Sequence, residues 1–493
     1  MSKSKYSYLG SLCDAVGAAE DDYLTASEKT KVRHLVNTYK ANLSKNVERR
    51  RYYEDKNRVS FAGITLRDDI NVRCEVGWCA KGVDYLALRS RIDGIYVNDE
   101  QDEELDAALD KCCFKDEYDR ATPTELIHGY GIWTPSKGDV DAGDPPVVIR
   151  YHDGEDSAAL WNYRKNRIDC AMVIEDYERT GDGSTLRPNL VHVYLDGSTI
   201  EFSREDKQSQ WVSVRLANPM GVPAAVPMVY RPNIKPLGKS RISKAAMRIT
   251  DDMQREIFLT NIQSRKHSLP TKYITNASDS LMEGMEKSAV YNDEMLVIGK
   301  DEDGETVTIG QLQAASPENH IALMDKHASE IASEFGLPVA AFGVSSNGYT
   351  SSDALRASTD DITQEAKNLN DRNGKAIAQL MLMVLAILRN KPLSEVVADG
   401  TSVSIHWADP AMPSEAQRAD ALVKHVSMMP WLAETDVILE QLGYDEPTRK
   451  RLMRQKGDAQ AAQSLTAALM GAVGGTGQQA VETPQQAAQR AAE

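Results

Sequence analysis

Few residues in this sequence combine types and spacing that could do chemistry. His320 and His327 are seven positions apart in a helical pattern, so they share one helix face, as two metal ligands would. No third ligand joins them at a metal-site spacing, and no metal is expected there. His128 in "HGYG" could orient a reacting group, but it sits at a helix-to-strand turn where glycines are expected anyway. The run "GAVGGTG" (471–477) has the glycines of a phosphate cradle. It lacks a preceding strand and a closing Gly-Lys-Ser/Thr, so it reads as a flexible tail. No G-x-S-x-G elbow occurs. The six cysteines, Cys13, Cys74, Cys79, Cys112, Cys113 and Cys170, form no C-x-x-C pair, and adjacent Cys112 and Cys113 make a poor disulfide. They read as reduced, mostly buried thiols of a cytosolic protein. No catalytic, cofactor-binding or metal-binding set is expected, and the chain does not read as an enzyme.

Composition narrows the field further. At 493 residues the chain has room for two to four domains, and its net charge is −16. An acidic chain lacks the electrostatic footprint of a protein that grips phosphates. Negative walls would instead let a polyanion pass without sticking. No apolar run reaches membrane-span length. The opening "MSKSKYSYLGSLCDAVG" has no apolar core of signal-peptide size, so retention in the cytosol is expected.

The elements follow from periodicity. Residues 29–57 read as a charged helix with Val32, Leu35, Tyr39 and Leu43 inward. Its arginine cluster reads as a solvated or intersubunit salt-bridging face. A second helix is expected within 72–97, ending at Gly94 and burying Val83, Leu86 and Ile92. An acidic helix with Leu105 and Leu109 inward follows, and "ELIHGYGIWTPS" passes from helix to strand. Residues 128–230 alternate apolar and polar residues, with hairpin turns at Asp182-Gly183 and Asp196-Gly197.

From Ser240 a helix is expected, carried by Ile242, Ala246, Ile249, Met253 and Ile257 and ended by Pro270. A compact insert over 271–315 holds three strands, a short helix and a turn at Asp303-Gly304. Ser316 then reads as an N-cap with Pro317 as the first helical residue. Ile321, Met324, Ala328, Ile331 and Phe335 repeat at helical spacing until Gly336 and Pro338 stop the helix. A longer helix is expected over 352–390, with Leu355, Ile362, Ala366, Leu369, Ile377, Leu380, Val384 and Ile387 inward. Its segment "AIAQLMLMVLAIL" is apolar nearly all round and therefore buried. Residues 403–414 read as a strand and loop, followed by helices. From about 458 the chain is rich in Ala, Gln and Gly and reads as a disordered tail.

Between the last two long helices lies "GVSSNGYTSS", a stretch without lysine, arginine or acid. Its glycines and serines permit conformational change at little steric cost. A helix, an insert, a second helix, a soft loop and a very long helix make an unusual order.

That order, together with "VDYLALRSRIDG", "VPMVYRPNIKPLGKSRISKAAMRI", "IGQLQAASPENHIALMDKHASEIASEFGLPVAAFG", "SSDALRASTDDI" and "VSIHWADPAMPSEAQRADALVK", resembles the portal proteins of tailed bacteriophages over roughly residues 30–455. The resemblance implies an α+β, mostly helical portal fold. Its parts would be an N-terminal wing (1–239), a first stem helix (240–266), a small α/β clip (267–316) and a second stem helix (317–335). After them would come a tunnel-loop region (336–352), the long wing helix with its return strand (353–413), crown helices (414–457) and the tail (458–493).

The resemblance further implies a homo-oligomeric ring, a dodecamer, at one capsid vertex of the virion, assembled in the host bacterial cytoplasm. Double-stranded DNA would pass through it. Its other partners would be the terminase packaging motor, the major capsid protein and a head-tail connector or adaptor protein, with no membrane. The tunnel loop lining the channel would comprise Gly343, Val344, Ser345, Ser346, Asn347, Gly348, Tyr349, Thr350, Ser351 and Ser352. Tyr349 would meet either the DNA or a neighbouring loop. Glu330, Glu334, Asp353, Asp360 and Asp361 would add negative potential around it. The rival readings are another virion head or connector protein, and an enzyme of unknown class.

Overall fold

The structure is a computed structural model that describes residues 9–459 other than 10, 18–23, 58, 60–73, 180–185, 205–209, 235, 269–271, 276–307, 312–315, 345–358, 412–414, 436 and 445–447. It mixes helix and sheet and divides into two compact units, Met1–Ala411 and Met412–Glu493.

In the first unit, α1 (Ala26–Tyr53) opens on a capping box. The Thr25 hydroxyl accepts from the Glu28 N–H at 3.3 Å, and the Glu28 carboxylate accepts from the Thr25 N–H at 2.9 Å. Two of the amides that a helix start leaves unpaired are thereby satisfied. Val32, Leu35, Tyr39 and Leu43 are all buried, as their spacing predicts. The basic end of α1 stays partly solvated, with the Arg50 side chain 41% exposed, but it also makes contacts within the chain. Arg50 pairs with Glu155 at 2.6 Å, and Arg49 donates to the His128 carbonyl at 3.2 Å. Arg51 is the exposed member of the cluster, and Arg49 and Arg50 are half-buried.

The helix expected to reach Gly94 stops earlier. α2 runs Trp78–Ala87, and Ile92–Val97 is a strand, β1. Its antiparallel partner, residues 403–407, lies some three hundred positions away, so no local pattern announces the ladder. Next come α3 (Glu103–Lys111), with Leu105 and Leu109 buried, and α4 (Phe114–His128). Cys113, in left-handed conformation at φ 52°, breaks them apart. All six cysteines are free, but only Cys79 and Cys170 are buried and Cys113 is exposed. Cys13, Cys74 and Cys112 are half-buried, so the expectation of mostly buried thiols holds only in part, and Cys113 is exposed at this break.

The β-rich region builds two sheets. β2 (Tyr130–Lys137) lies between β3 (Val147–His152) and β9 (Val226–Val229). The larger sheet runs in sequence order through β4 (Ser157–Asn162), β5 (Arg167–Arg179), β6 (Leu186–Leu195), β7 (Ser198–Ser203) and β8 (Val212–Ala217). One of its faces buries Met172, Val191, Val193, Ile200 and Phe202 against α1. The other packs Ala171, Val173 and Tyr194 on Tyr130 and Ile132 of β2. Asp196-Gly197 forms the expected two-residue turn, with Gly197 at φ 75°. Asp182-Gly183 and Asp303-Gly304 lie outside the described residues.

α5 (Lys244–Ser268) leads to β10 (Lys272–Thr275), which pairs antiparallel with β11 (Thr308–Gln311). The rest of the expected insert is outside the described residues. α6 (Glu318–Phe335) returns alongside α5. Ser243, just before α5, donates to Glu334 near the end of α6 at 2.6 Å, and Glu256 meets His320 near its start at 2.8 Å. The two helices are therefore antiparallel. α6 begins one residue later than expected, with Pro317 as its cap residue and the Ser316 hydroxyl accepting from the Glu318 N–H. Ala328, Ile331 and Phe335 are buried, whereas Ile321 is half exposed, so the inward stripe covers only the later turns.

The longest helix among the described residues is α7 (Asp360–Leu388), and residues 352–358 of the expected helix lie outside them. Thr359 before it is not helical (φ −109°, ψ 0°), and the acids Asp360 and Asp361 occupy the first turn, where the helix dipole favours them. Ile362, Ala366, Leu369, Ile377, Leu380 and Val384 are buried as expected. At about 1.5 Å per residue its 29 residues span about 43 Å. Asn390 at φ 48° and the Lys391 N–H bonded to the Ala386 carbonyl close it in a Schellman-type cap. A short α8 (Leu393–Ala398) and β12 (Val403–Trp407) complete the unit.

The second unit holds α9 (Glu415–Met428), α10 (Val437–Leu442) and a helix over 448–459. Leu422, Val423, Ile438 and Leu442 line an apolar groove between the first two. No helix among the described residues is long and apolar enough to cross a membrane.

Candidate functional site

The stretch 343–352 starts from a well-built base. Gly336 caps α6 in left-handed conformation at φ 61°, and Val339–Phe342 form a short 3-10 turn closed by Gly343 at φ 90°. Neither conformation suits a residue with a Cβ. Gly343 is exposed, and Val344 packs on the core that includes Phe335, Phe342 and Leu369. Ser345, Ser346, Asn347, Gly348, Tyr349, Thr350, Ser351, Ser352 and Asp353 lie outside the described residues. The chain re-enters the described fold at Thr359 and α7.

Aromatic rings pack this base. Phe342 stands edge-on to Trp78 at 5.8 Å and parallel to Phe335 at 6.4 Å. A Cβ on Gly82 of α2 would lie 2.6 Å from the Phe335 ring, so only glycine lets the ring rest there.

Beside the rings a buried arginine joins five segments. Arg241, whose side chain is 2% exposed, donates from Nε to the Gly82 carbonyl at 2.7 Å and from Nη2 to the Phe335 carbonyl at 2.7 Å. Its Nη1 donates to the Tyr230 hydroxyl at 2.9 Å and to Glu365 at 2.6 Å. Glu365 also accepts from the Tyr230 hydroxyl and pairs with Arg231 at 2.5 Å. Burial works to raise the Glu365 carboxyl, but Arg241, the Tyr230 hydroxyl and Arg231 outweigh it and hold the group below the usual range. A planar guanidinium suits such a node, because its donors spread in a fixed fork. Next to it, an open cleft of about 360 Å³ is lined by Arg231, Glu334, Asp361, Glu365 and Arg372, among others.

The proposed acids do not form one cluster. Glu334 and Asp361 share that cleft, and Asp360 is exposed beside it. Glu330 lies a turn back on α6, 3.6 Å from Lys326 and 3.5 Å from His327. His320 and His327 have different partners, Glu256 and Glu330, and no three His, Cys, Asp or Glu among the described residues converge as metal ligands would.

Sequence reasoning missed Arg241, Tyr230 and Glu365. A weak signal existed: "YRPNIKPLGKSRI" places an arginine between Ser240 and Ile242, just where an amphipathic helix begins. Three other singled-out stretches also converge here, because "VDYLALRSRIDG" directly follows Gly82, "SEFGLP" contains Phe335, and "SSDALRASTDDI" runs into Glu365.

Comparison with known proteins adds independent findings. The family model for "Phage portal protein, SPP1 Gp6-like" matches residues 33–435. The portal protein of Mycobacterium phage L5 is 24% identical over 414 residues, which cover 82% of this chain and 83% of that protein. The portal protein of Mycobacterium phage D29 is 25% identical over 416 residues, with the same coverage. Among solved structures, the neck of a native GTA particle computed with C12 symmetry matches 70% of this chain and 84% of that one, at 13% identity and a TM-score of 0.38. The virion of a native gene transfer agent particle matches 78% and 89%, at 14% identity and a TM-score of 0.42.

Proposed function

Because this chain belongs to the SPP1 Gp6-like phage portal proteins and works as a portal protein, we propose that its copies close into a ring, a dodecamer, at one capsid vertex, through which double-stranded DNA is packaged and later ejected. The carrying observation is the antiparallel pair α5 and α6, joined at one end through β10 and β11 and rooted at the other in the α2–α7 core. An arm of this kind can gather about an axis while the insert at its tip stays free to dock.

In this reading α5 and α6 are the stem and the insert of 267–316 is the clip, which meets the terminase motor first and the tail connector afterwards. The mixed unit before α5, with α7 and β12, is the wing against the major capsid protein, and the helices after 414 are the crown. The chain supplies a shaped, weakly adhesive conduit and no chemistry of its own. The uncharged stretch 343–352 faces the channel beside the acids Glu334, Asp360 and Asp361, and a net charge of −16 disfavours tight phosphate binding. A closed ring requires a head-to-tail interface that returns on itself.

Electron microscopy of the purified protein tests the reading. Rings with an axial hole are expected. Compact monomers at every concentration would overturn it, as would nucleotide hydrolysis by the protein alone that a single substitution abolishes.

A further inference from the structure

We propose that Arg241 and Glu365 act as a clasp that sets where the chain leaves α6 and where it returns on α7, making both residues positioning residues for the stretch between. This rests on the reading of 343–352 as a channel loop only for its consequence in the virion.

The geometry is specific. The same guanidinium holds the Phe335 carbonyl, the last residue of α6, and the Glu365 carboxylate, in the second turn of α7. Those two points bracket the whole segment from Gly336 to Thr359. The remaining donors fix the guanidinium to elements outside that segment, the Gly82 carbonyl of α2 and the Tyr230 hydroxyl after β9. The guanidinium also lies over the Phe335 ring, 5.5 Å from its centre. Take-off and landing are thus referred to one rigid frame.

A lysine has the same charge but a single terminal nitrogen, so it cannot serve Gly82, Phe335 and Glu365 together. The neighbouring Arg231 cannot replace Arg241 either. It sits in left-handed backbone at φ 45°, its side chain is 54% exposed, and it reaches only the far oxygen of Glu365.

The test uses full-length assembled protein with three variants: Arg241→Lys, Glu365→Gln and the double variant Arg241→Met with Glu365→Met. Replacing both members of a buried ion pair by apolar groups often preserves stability. The double variant should therefore recover part of the melting temperature that Arg241→Met alone would lower, the remainder being lost with the bonds to the Gly82 and Phe335 carbonyls. It should not recover slow hydrogen exchange at 336–344 and 359–366, which is expected to quicken about tenfold in all three variants. Unchanged exchange at both flanks in Arg241→Lys would overturn the clasp. So would flank protection that returns with the melting temperature in the double variant, since a purely stabilising role predicts that result.

Heads filled in the presence of each variant give the separate readout. Loosened flanks with fewer filled heads support both proposals. Loosened flanks with normal filling keep the clasp and overturn the channel role of the stretch.

Discussion

Asn373 Nδ2 of α7 donates to the Glu125 carboxylate of α4 at 2.9 Å, across 248 positions of sequence and out of reach of water. The other carboxyl oxygen of Glu125 has no partner among the described residues. Burial pushes this carboxyl up to about 8, with Asn373 and Arg372 pulling weakly the other way. The folded chain therefore keeps a proton here at neutral pH that the unfolded chain has released. The associated stability is full below the ordinary glutamate range and is lost as pH rises towards 8, at about 1.4 kcal/mol per pH unit. Glu125→Gln should abolish that slope and be no less stable than the parent at pH 7. Urea midpoints at pH 5, 7 and 8.5 check it, and equal slopes in both proteins would refute it.

His128 carries the opposite dependence. Burial lowers it to about 4, Glu155 opposes that, and Arg49 and Arg50 add to it. Unfolding lets the ring take up a proton, so stability falls as pH drops from about 6.5 towards 4, again by about 1.4 kcal/mol per unit. His128→Gln should flatten this acid limb in the same urea series.

Gly82→Ala should lower the melting temperature, because its methyl would meet the Phe335 ring at 2.6 Å. Overpacking of this kind costs about 1–3 kcal/mol. Adding Phe335→Leu should restore part of the loss, as calorimetry of the single and double variants would show.

Removing 345–350 should leave ring formation intact and reduce the yield of DNA-filled heads. Counting rings and filled heads by electron microscopy checks both halves, and normal filling would remove this stretch from the conduit.

If the insert docks the motor as proposed, removing 276–307, between β10 and β11, should leave rings but prevent packaging. A connector protein without the two-helix arm would need no such insert. Packaging reactions with purified motor measure the difference.

Helices were readable where one face was apolar at 3–4 spacing and the ends were punctuated. The end of α6 at Gly336 came through to the residue, and α1 came through with its inward face right and its bounds three or four residues off. Reading failed where a partner far along the chain decided the outcome. Ile92–Val97 looked like the end of a helix until β12 supplied its ladder. Ile321 fitted a buried stripe by spacing, yet among the described residues the buried part of α6 begins only at Ala328. Arg50, read with its neighbours as a solvated face, keeps that exposure but takes as partner Glu155, from a turn more than a hundred residues on, which no local pattern names.

The order of elements, the uncharged stretch after Gly343 and the portal character of the chain were set in the sequence by itself, because helical period, capping residues and extended similarity are local or linear properties. The convergence of Gly82, Tyr230, Phe335 and Glu365 on Arg241 was decided only in the tertiary structure. A guanidinium fork takes partners from any direction in space, and nothing in residue order says which carbonyls and carboxylates folding will bring within its reach.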